Sequence, residues 1–251
     1  MVEGVRGIED GFLSGTIPTL VLYNSRLLAR TPRGMSLFTA LNGAIPGHVF
    51  ECSERALEAA AQTDHPQGIV AAFPMREWPP TLPDMTSPLF LVCDGISDPG
   101  NMGTLLRSAE AAGADAVFAV QGCVDIFNPK VVRAGMGAHF RLPIYQDLTW
   151  DDIGKRLAAH GLGQGRVFCT ATGAALTYDE INWSAGSALI VSNEAHGISA
   201  SAQALCETEG KAIGIPMHGG TESLNAAVAG SVILFEAARQ RRSIGTGVDT
   251  K

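Results

Sequence analysis

Apolar residues in this chain fall in short solid runs, separated by longer stretches where they recur every three or four positions. Short runs read as buried strands and the longer spacing as amphipathic helices, so the pattern predicts an α/β fold with mostly parallel strands. In the first third the predicted strands are Pro18–Tyr23, Val49–Cys52 and Gly68–Phe73, with helices at Ser36–Leu41 and Glu54–Gln62. Ser53 is a suitable N-cap for the second of these. Val2–Leu13 has helical spacing, but Gly4, Gly7 and Gly11 weaken it. Beyond residue 88 the predicted strands are Leu89–Cys93, Ala116–Val120, Arg166–Thr170, Ala188–Ser192 and Ala212–Pro216. Thr104–Ala112 reads as a helix stopped by Gly113, and Thr149 caps another running through Ala159.

The last predicted helix, Leu224–Arg239, is apolar on two sides. Leu224, Val228, Val232 and Phe235 form one face, while Ala226, Ala229, Ile233 and Ala237 form a second. Such a helix must be covered twice, once by its own sheet and once by something else; a second copy of the chain is the economical candidate. Between the two halves lies Pro74–Pro88, with prolines at 74, 79, 80, 83 and 88. Proline removes backbone donors and disfavours helix in the preceding residue, so this stretch reads as an inter-domain linker. The expected layout is a small domain over 1–75, a linker over 76–87, a large domain over 88–242 and a frayed tail over 243–251.

At 251 residues, 46% of them hydrophobic and 17% charged, the chain can bury a proper core. No apolar run approaches the ~18 residues of a membrane span, and no secretory signal precedes Val2-Glu-Gly-Val, so a soluble cytoplasmic protein is expected. The five cysteines are scattered, without metal-ligand spacing, and are expected to be reduced and buried. No metal is expected. A net charge of −7 argues mildly against a nucleic-acid partner but does not exclude a local patch. Three trios of cations are candidates: Arg26, Arg30 and Arg33; Lys130, Arg133 and Arg141; Arg239, Arg241 and Arg242. Each is equally an ordinary solvated face.

Three segments carry candidate chemistry, and each sits where an apolar strand gives way to a turn. The first is Asn101-Met-Gly-Thr-Leu-Leu-Arg107, in which Asn101 and Gly103 open a helix that carries an arginine. Backbone N–H groups at such a helix start suit a phosphate or ribose, although a plain cap with a solvent-facing arginine reads as well. The second is Ser192-Asn-Glu-Ala-His-Gly197, whose Asn193 and Glu194 fall at a strand's carboxyl end, where α/β sheets place ligands. His196 is an acid/base candidate, but a lone turn histidine is ordinarily surface. The third is Ile215-Pro-Met-His-Gly-Gly-Thr-Glu-Ser-Leu-Asn225, with Ser223 as a sound N-cap for the last helix and glycines that admit a flat ligand. Neither GxGxxG nor GxxxxGK[ST] occurs in the first segment, which argues against a dehydrogenase or a P-loop enzyme.

In that order and spacing, over roughly residues 87–242, the three segments resemble the SpoU branch of the SPOUT RNA 2′-O-ribose methyltransferases. Lys130–Pro143 resembles the family's stretch between its first two motifs, and the layout is similar to ribosomal RNA enzymes of the thiostrepton-resistance type. The resemblance implies a deep trefoil knot, an L30e-like RNA-binding domain ahead of the catalytic one, a homodimer, and S-adenosylmethionine as cofactor. The knot loops would come from Thr170–Gly173, Asn193–Gly197 and Ile215–Asn225. Cofactor contacts would fall to Thr170, Ala171, Thr172, Asn193, Glu194, Gly197, Ile215, Pro216, Met217, Ser223, Leu224 and Asn225. Arg107 would serve the 2′-hydroxyl, with Asn101, Glu194, Ser223 and Asn225 around it and the first motif contributed across the dimer. RNA contacts would come from Arg26, Arg30, Lys130 and Arg133. Two departures stand out: Gly135 where the family pattern has Ser, and no basic segment upstream of Val2. The implied substrate is 23S ribosomal RNA. Transfer RNA, or a catalytically silent RNA-binding role, are the alternatives.

Overall fold

The computed structural model describes all residues except Gln62, Asp64, His65, Gln164, Glu194–His196, Glu222 and 246–251, with backbone alone at 243–245. The chain forms two compact units, Met1–Glu77 with Met136–Arg141, and Trp78–Gly135 with Leu142–Lys251.

In the first unit, strands β1 (Val2–Glu3), β2 (Leu20–Tyr23), β3 (Val49–Glu51) and β4 (Ile69–Ala72) make a four-stranded sheet in the order β1-β4-β2-β3. β2 and β3 run parallel, and the other pairs are antiparallel. Helices α1 (Val5–Leu13), α2 (Ser25–Leu28), α3 (Pro32–Ala44) and α4 (Glu54–Ala60) connect them. Asn24, Thr31 and Ser53 cap the last three, each side-chain oxygen accepting from the third backbone N–H onward. α1 forms despite its glycines because Val5 and Ile8 anchor it in a core with Val21, Leu41 and Ile69. Phe140 packs edge-on against Phe73, and the guanidinium of Arg76 donates to the carbonyl of Phe140, which places 136–141 in this unit.

The second unit holds β5 (Leu89–Asp94), α5 (Pro99–Ala112), β6 (Ala116–Val120), α6 (Pro129–Gly135), β7 (Ile144–Leu148), α7 (Trp150–Ala159), β8 (Val167–Thr170), β9 (Leu176–Thr177), β10 (Ser187–Ser192), α8 (Ala200–Glu209), β11 (Gly210–Gly214) and α9 (Ala226–Gly245). Its seven strands run in the order β7-β6-β5-β10-β8-β11-β9, and every neighbouring pair is parallel. β5, β6 and β10 are buried along their whole length, which is why they read as unbroken apolar runs.

Several expectations are corrected. The division falls between Glu77 and Trp78, inside the stretch expected to be a linker. The proline-rich stretch is pinned to the second unit: Tyr145 donates to the Pro79 carbonyl, a His160 ring nitrogen meets that of Pro83, and Leu82 and Met85 lie against the core. Cys169 on β8 and Cys206 on α8 pair as a disulfide, where reduced thiols were expected. Arg241 does not belong to a solvated patch. Its guanidinium donates to the carbonyls of Ser87, Pro88, Trp183 and Ala185, fastening the end of α9 to the segments that enter β5 and β10. α9 continues through Gly245, so the first three residues assigned to a tail are helical. α8 and β7 were not anticipated, because α8 buries only Ala202 and Cys206 and β7 is a half-exposed edge strand.

α5 begins at Pro99, earlier than expected, because Asp98 caps it through the Asn101 N–H. Gly103 therefore lies inside the helix and serves packing rather than ligand approach. A Cβ there would come within 2.4 Å of Ala134 Cβ and 2.7 Å of the Val131 carbonyl on α6. Gly135 is buried at the same contact, so the departure there falls on a packing position. Replacing Gly103 with Ala gains roughly 1 kcal/mol of helix propensity but forces overlap costing about 1–3 kcal/mol. Urea unfolding of Gly103→Ala should therefore show a net loss of stability; an unchanged or higher midpoint would mean that α6 yields freely.

Candidate functional site

Parallel strands send all their carboxyl ends to one edge of the sheet, and ligands of open α/β sheets bind there. In this chain a cleft of about 380 Å³ opens at the ends of β8, β10 and β11. Thr170, Ala171, Thr172 and Gly173 leave β8 on one side, and the Ala171 N–H donates to the Ile213 carbonyl of β11. Ser192 and Asn193 leave β10, and Gly197 and Ile198 return toward α8. Gly197 pairs back on Asn193, its N–H donating to the Asn193 carbonyl at 2.8 Å. Ile213 to Ile215 and Met217 form the third wall, and Ser223, Leu224, Ala226, Ala229 and Ile233 form the fourth.

The cleft joins aliphatic walls to a few hydroxyls and an amide. Ile198, Ile215, Leu224 and Ile233 can bracket a flat heterocycle, while Thr170, Thr172, Ser192, Asn193 and Ser223 offer hydrogen bonds to its polar substituents. Its volume is within the range of small-ligand sites. Burial first, then Cys123 and Asp94, push the Cys93 thiol up, and burial leads the upward shift of Cys123. Among the described residues no three metal-ligating side chains gather anywhere.

Of the residues assigned to the cofactor, the structure brings Thr170, Ala171, Thr172, Asn193, Gly197, Ile215, Met217, Ser223 and Leu224 into this one cleft. Pro216 is exposed and does not line it. Glu194 and His196 lie outside the described residues. Asn225 stands at the start of α9, where its Oδ1 accepts from the Ala227 and Val228 N–H groups. It, not Ser223, is the side-chain cap of this helix. Asn225 Nδ2 also donates to Asn101 Oδ1 at 2.8 Å, which ties the third motif to the first. Ser223 is thereby left facing the cleft.

Asn101 therefore sits beside the third motif, whereas Arg107 is exposed further along α5 and does not line the cleft. Arg26 and Arg30 are exposed in the first unit; Lys130 is exposed and Arg133 half-buried on α6. Arg33 pairs with Glu9, and Arg239 with Glu236. Sequence reading assigned no ligand contact to Gly173, Ser192, Ile198, Ile213, Gly214, Ala226, Ala229 and Ile233, which also line the cleft. Their positions beside the motif turns, on strand ends and the inner face of α9, were the signal available.

A seven-stranded parallel sheet with a cleft built from three strand-end loops defines an α/β protein with room for a nucleoside-sized ligand at the carboxyl edge of its sheet. Residues 88–235 match the SpoU rRNA Methylase family. The chain belongs to that family. It is similar to the mitochondrial rRNA methyltransferase 3A of Danio rerio, at 31% identity over 96% of this chain and 63% of that protein. It is also similar to the Bacillus subtilis 23S rRNA (guanosine(2553)-2′-O)-methyltransferase RlmP, at 37% identity over 74% of this chain and 71% of the other. Among solved structures it resembles the SpoU methyltransferase AviRb from Streptomyces viridochromogenes in complex with AdoMet, with a TM-score of 0.78 and 28% identity. That likeness covers 96% of this chain and 90% of the other. The chain thus spans less than two thirds of the length of the zebrafish relative.

The two polar residues at the start of α9 should separate cleanly by mutation. Asn225→Ala removes a helix cap and should cost about 1 kcal/mol of stability. Ser223→Ala should leave stability within about 0.5 kcal/mol yet weaken binding of S-adenosylmethionine in titration calorimetry. Equal loss of stability in the two variants would return the capping role to Ser223.

Proposed function

We propose that this protein methylates the 2′-oxygen of a ribose in RNA, with 23S ribosomal RNA as substrate and S-adenosylmethionine as methyl donor. The observation that carries this reading is the convergence of the loops after β8, β10 and β11, the second and third motifs among them, on one cleft, with Asn225 of the third motif bonded to Asn101 of the first. The family membership and the AdoMet-bound neighbour support it.

When bound, S-adenosylmethionine supplies a methyl group made electrophilic by the sulfonium. The aliphatic walls hold the adenine, and the strand-end hydroxyls and Asn193 hold the sugar and amino-acid portions. Thr170 to Thr172, Ile215 to Met217 and Ser223 to Asn225 set the depth and orientation of the ligand together with Gly197; Glu194, outside the described residues, is assigned to it from the sequence alone. In the transfer the ribose oxygen would bond to the methyl carbon as the carbon–sulfur bond breaks, S-adenosylhomocysteine leaving and the 2′-proton passing to water, and this needs the oxygen aligned with the carbon–sulfur bond. Arg107 binds the adjoining phosphate and stabilises the developing alkoxide. A guanidinium carries donors and no acceptor, so it is poorly suited to removing the proton itself. Asn101 positions the RNA backbone.

Arg107 is outside the cleft of its own chain, so we place it in the cleft of a second copy. α9 offers the surface for that dimer. Val228, Val232 and Phe235 form an apolar stripe at successive helical turns and are 48%, 36% and 46% exposed. The opposite face, with Ala226, Ile233 and Ala237, is buried. In this reading 170–173, 193–197 and 215–225 form a deep trefoil knot, an exception to the unthreaded connections of most folds. The first unit serves as an L30e-like RNA-binding domain, with Arg26 and Arg30 touching the RNA there and Lys130 and Arg133 touching it from α6. The enzyme works in the cytoplasm. No helix among the described residues is long and apolar enough to cross a membrane.

The direct test is transfer of labelled methyl from S-adenosylmethionine to fractionated RNA, followed by alkaline hydrolysis. Label in large ribosomal RNA that survives in an alkali-resistant dinucleotide is the expected result; label confined to transfer RNA would overturn the substrate. Arg107→Ala should lose turnover by a factor of at least about a hundred while binding S-adenosylmethionine as the unmodified protein does. Phe235→Glu should convert a dimer to a monomer in light scattering and lower turnover with it. A monomer that retains full activity would place the arginine in its own chain's cleft.

A further inference from the structure

Asp94 is the one acidic side chain among the described residues that is almost completely buried, at 3% exposure, and the functions assigned so far do not use it. It ends β5, directly beside the end of β10 in parallel register with Ser192. Placing a carboxylate in an apolar interior is costly unless its hydrogen bonds are made. Here a single oxygen, Oδ2, accepts twice: from the Ser192 hydroxyl at 2.9 Å and from the Ser199 N–H at 2.8 Å. The Asp94 backbone carbonyl accepts from the Asn193 N–H. Asn193 Nδ2 then reaches the Gly95 carbonyl and Ser97 Oγ.

These contacts have a pattern that packing alone does not require. Ser192 and Asn193 line the cleft on one side of the second motif, and Gly197 and Ile198 line it on the other. Asp94 holds the chain on both sides at once, through Ser192 before and Ser199 after. The fastening is charge-assisted, and so stronger than one made by a neutral side chain. An apolar residue of similar size would fill the same space and leave both ends unfastened.

We propose that Asp94 is a positioning residue for the methyl donor: it sets the separation of Ser192–Asn193 from Gly197–Ile198, and with it the width of the cleft. The inference rests on the reading of that cleft as the S-adenosylmethionine site. Asp94 touches no substrate atom itself and acts through the strand end and the turn.

The test is titration calorimetry of the full chain with S-adenosylmethionine, paired with separate KM values for donor and RNA. Asp94→Asn keeps an acceptor oxygen for both donors and should stay within about three-fold of the unmodified affinity. Asp94→Ala, and Asp94→Ser where the alanine variant is too unstable to purify, should raise the dissociation constant about ten-fold. In these variants the KM for the donor should rise while that for RNA stays. A merely structural carboxylate would lower the melting temperature and the folded fraction but leave donor affinity per folded molecule unchanged, and that result would overturn the proposal. Failure of the unmodified protein to bind the donor would count against the cleft; normal binding with indifferent variants would count against Asp94 alone.

Discussion

Seven strands run in one direction, and that single constraint arranges everything else in the second unit. Parallel pairing puts each strand's carboxyl end at the same edge, so residues far apart in sequence arrive together without any direct attraction between them. The turns after β8, β10 and β11 begin at Thr170, Ser192 and Gly214 and meet in one cleft. The cost is that strands return to the amino edge only through crossovers, and α5, α6, α7 and α8 supply four of them.

α9 shows how tightly those helices must sit. A Cβ on Gly230 would come within 2.6 Å of Leu105 on α5 and 3.1 Å of Val191 on β10, so the helix backbone fits only because that atom is missing. The Ser108 hydroxyl meets Ser231 Oγ across the same helix contact at 2.7 Å, while Ser231 donates to the Ala227 carbonyl one turn back. At its far end Gln240 and Arg241 grip the segment from Ile181 to Ala185. The helix is held at both ends and pressed in the middle. Its first turns can therefore act as a rigid wall of the cleft while Val228, Val232 and Phe235 remain open on the other side.

Much of this was legible in the sequence, and what was not has a physical reason. The strands of the sheet centre declared themselves because burial on both faces demands unbroken apolar runs; Leu89–Asp94 and Ser187–Ser192 are the plain cases. β7 and α8 carry weak patterns because they bury little. Nothing in composition distinguishes Arg241 from its neighbours Arg239 and Arg242, yet it is the one enclosed by carbonyls, since only the fold brings Ser87 and Ala185 to it. The pairing of Cys169 with Cys206 is likewise a product of α8 lying on β8, not of spacing. In the cleft, the turn residues were legible from their motifs. The strand ends and the inner face of α9 were not, because any apolar residue suits them.

The motifs themselves divide into residues that build and residues that act. At the first, Asp98 just before it and Gly103 within it are construction: one starts the helix through the Asn101 N–H and the other admits its neighbour, while the Asn101 side chain is tied to the third motif and Arg107 is exposed. In the third, Asn225 is spent on capping α9 and on holding Asn101, which frees Ser223 for the cleft. In the second, Asn193 spends its amide N–H groups on Gly95 and Ser97, so its part at the cleft is the position it imposes on the turn. A short motif of this kind is thus a compromise between geometry and chemistry. The asparagines at 101, 193 and 225 suit it because an amide both donates and accepts, and can fasten one loop while presenting another atom outward.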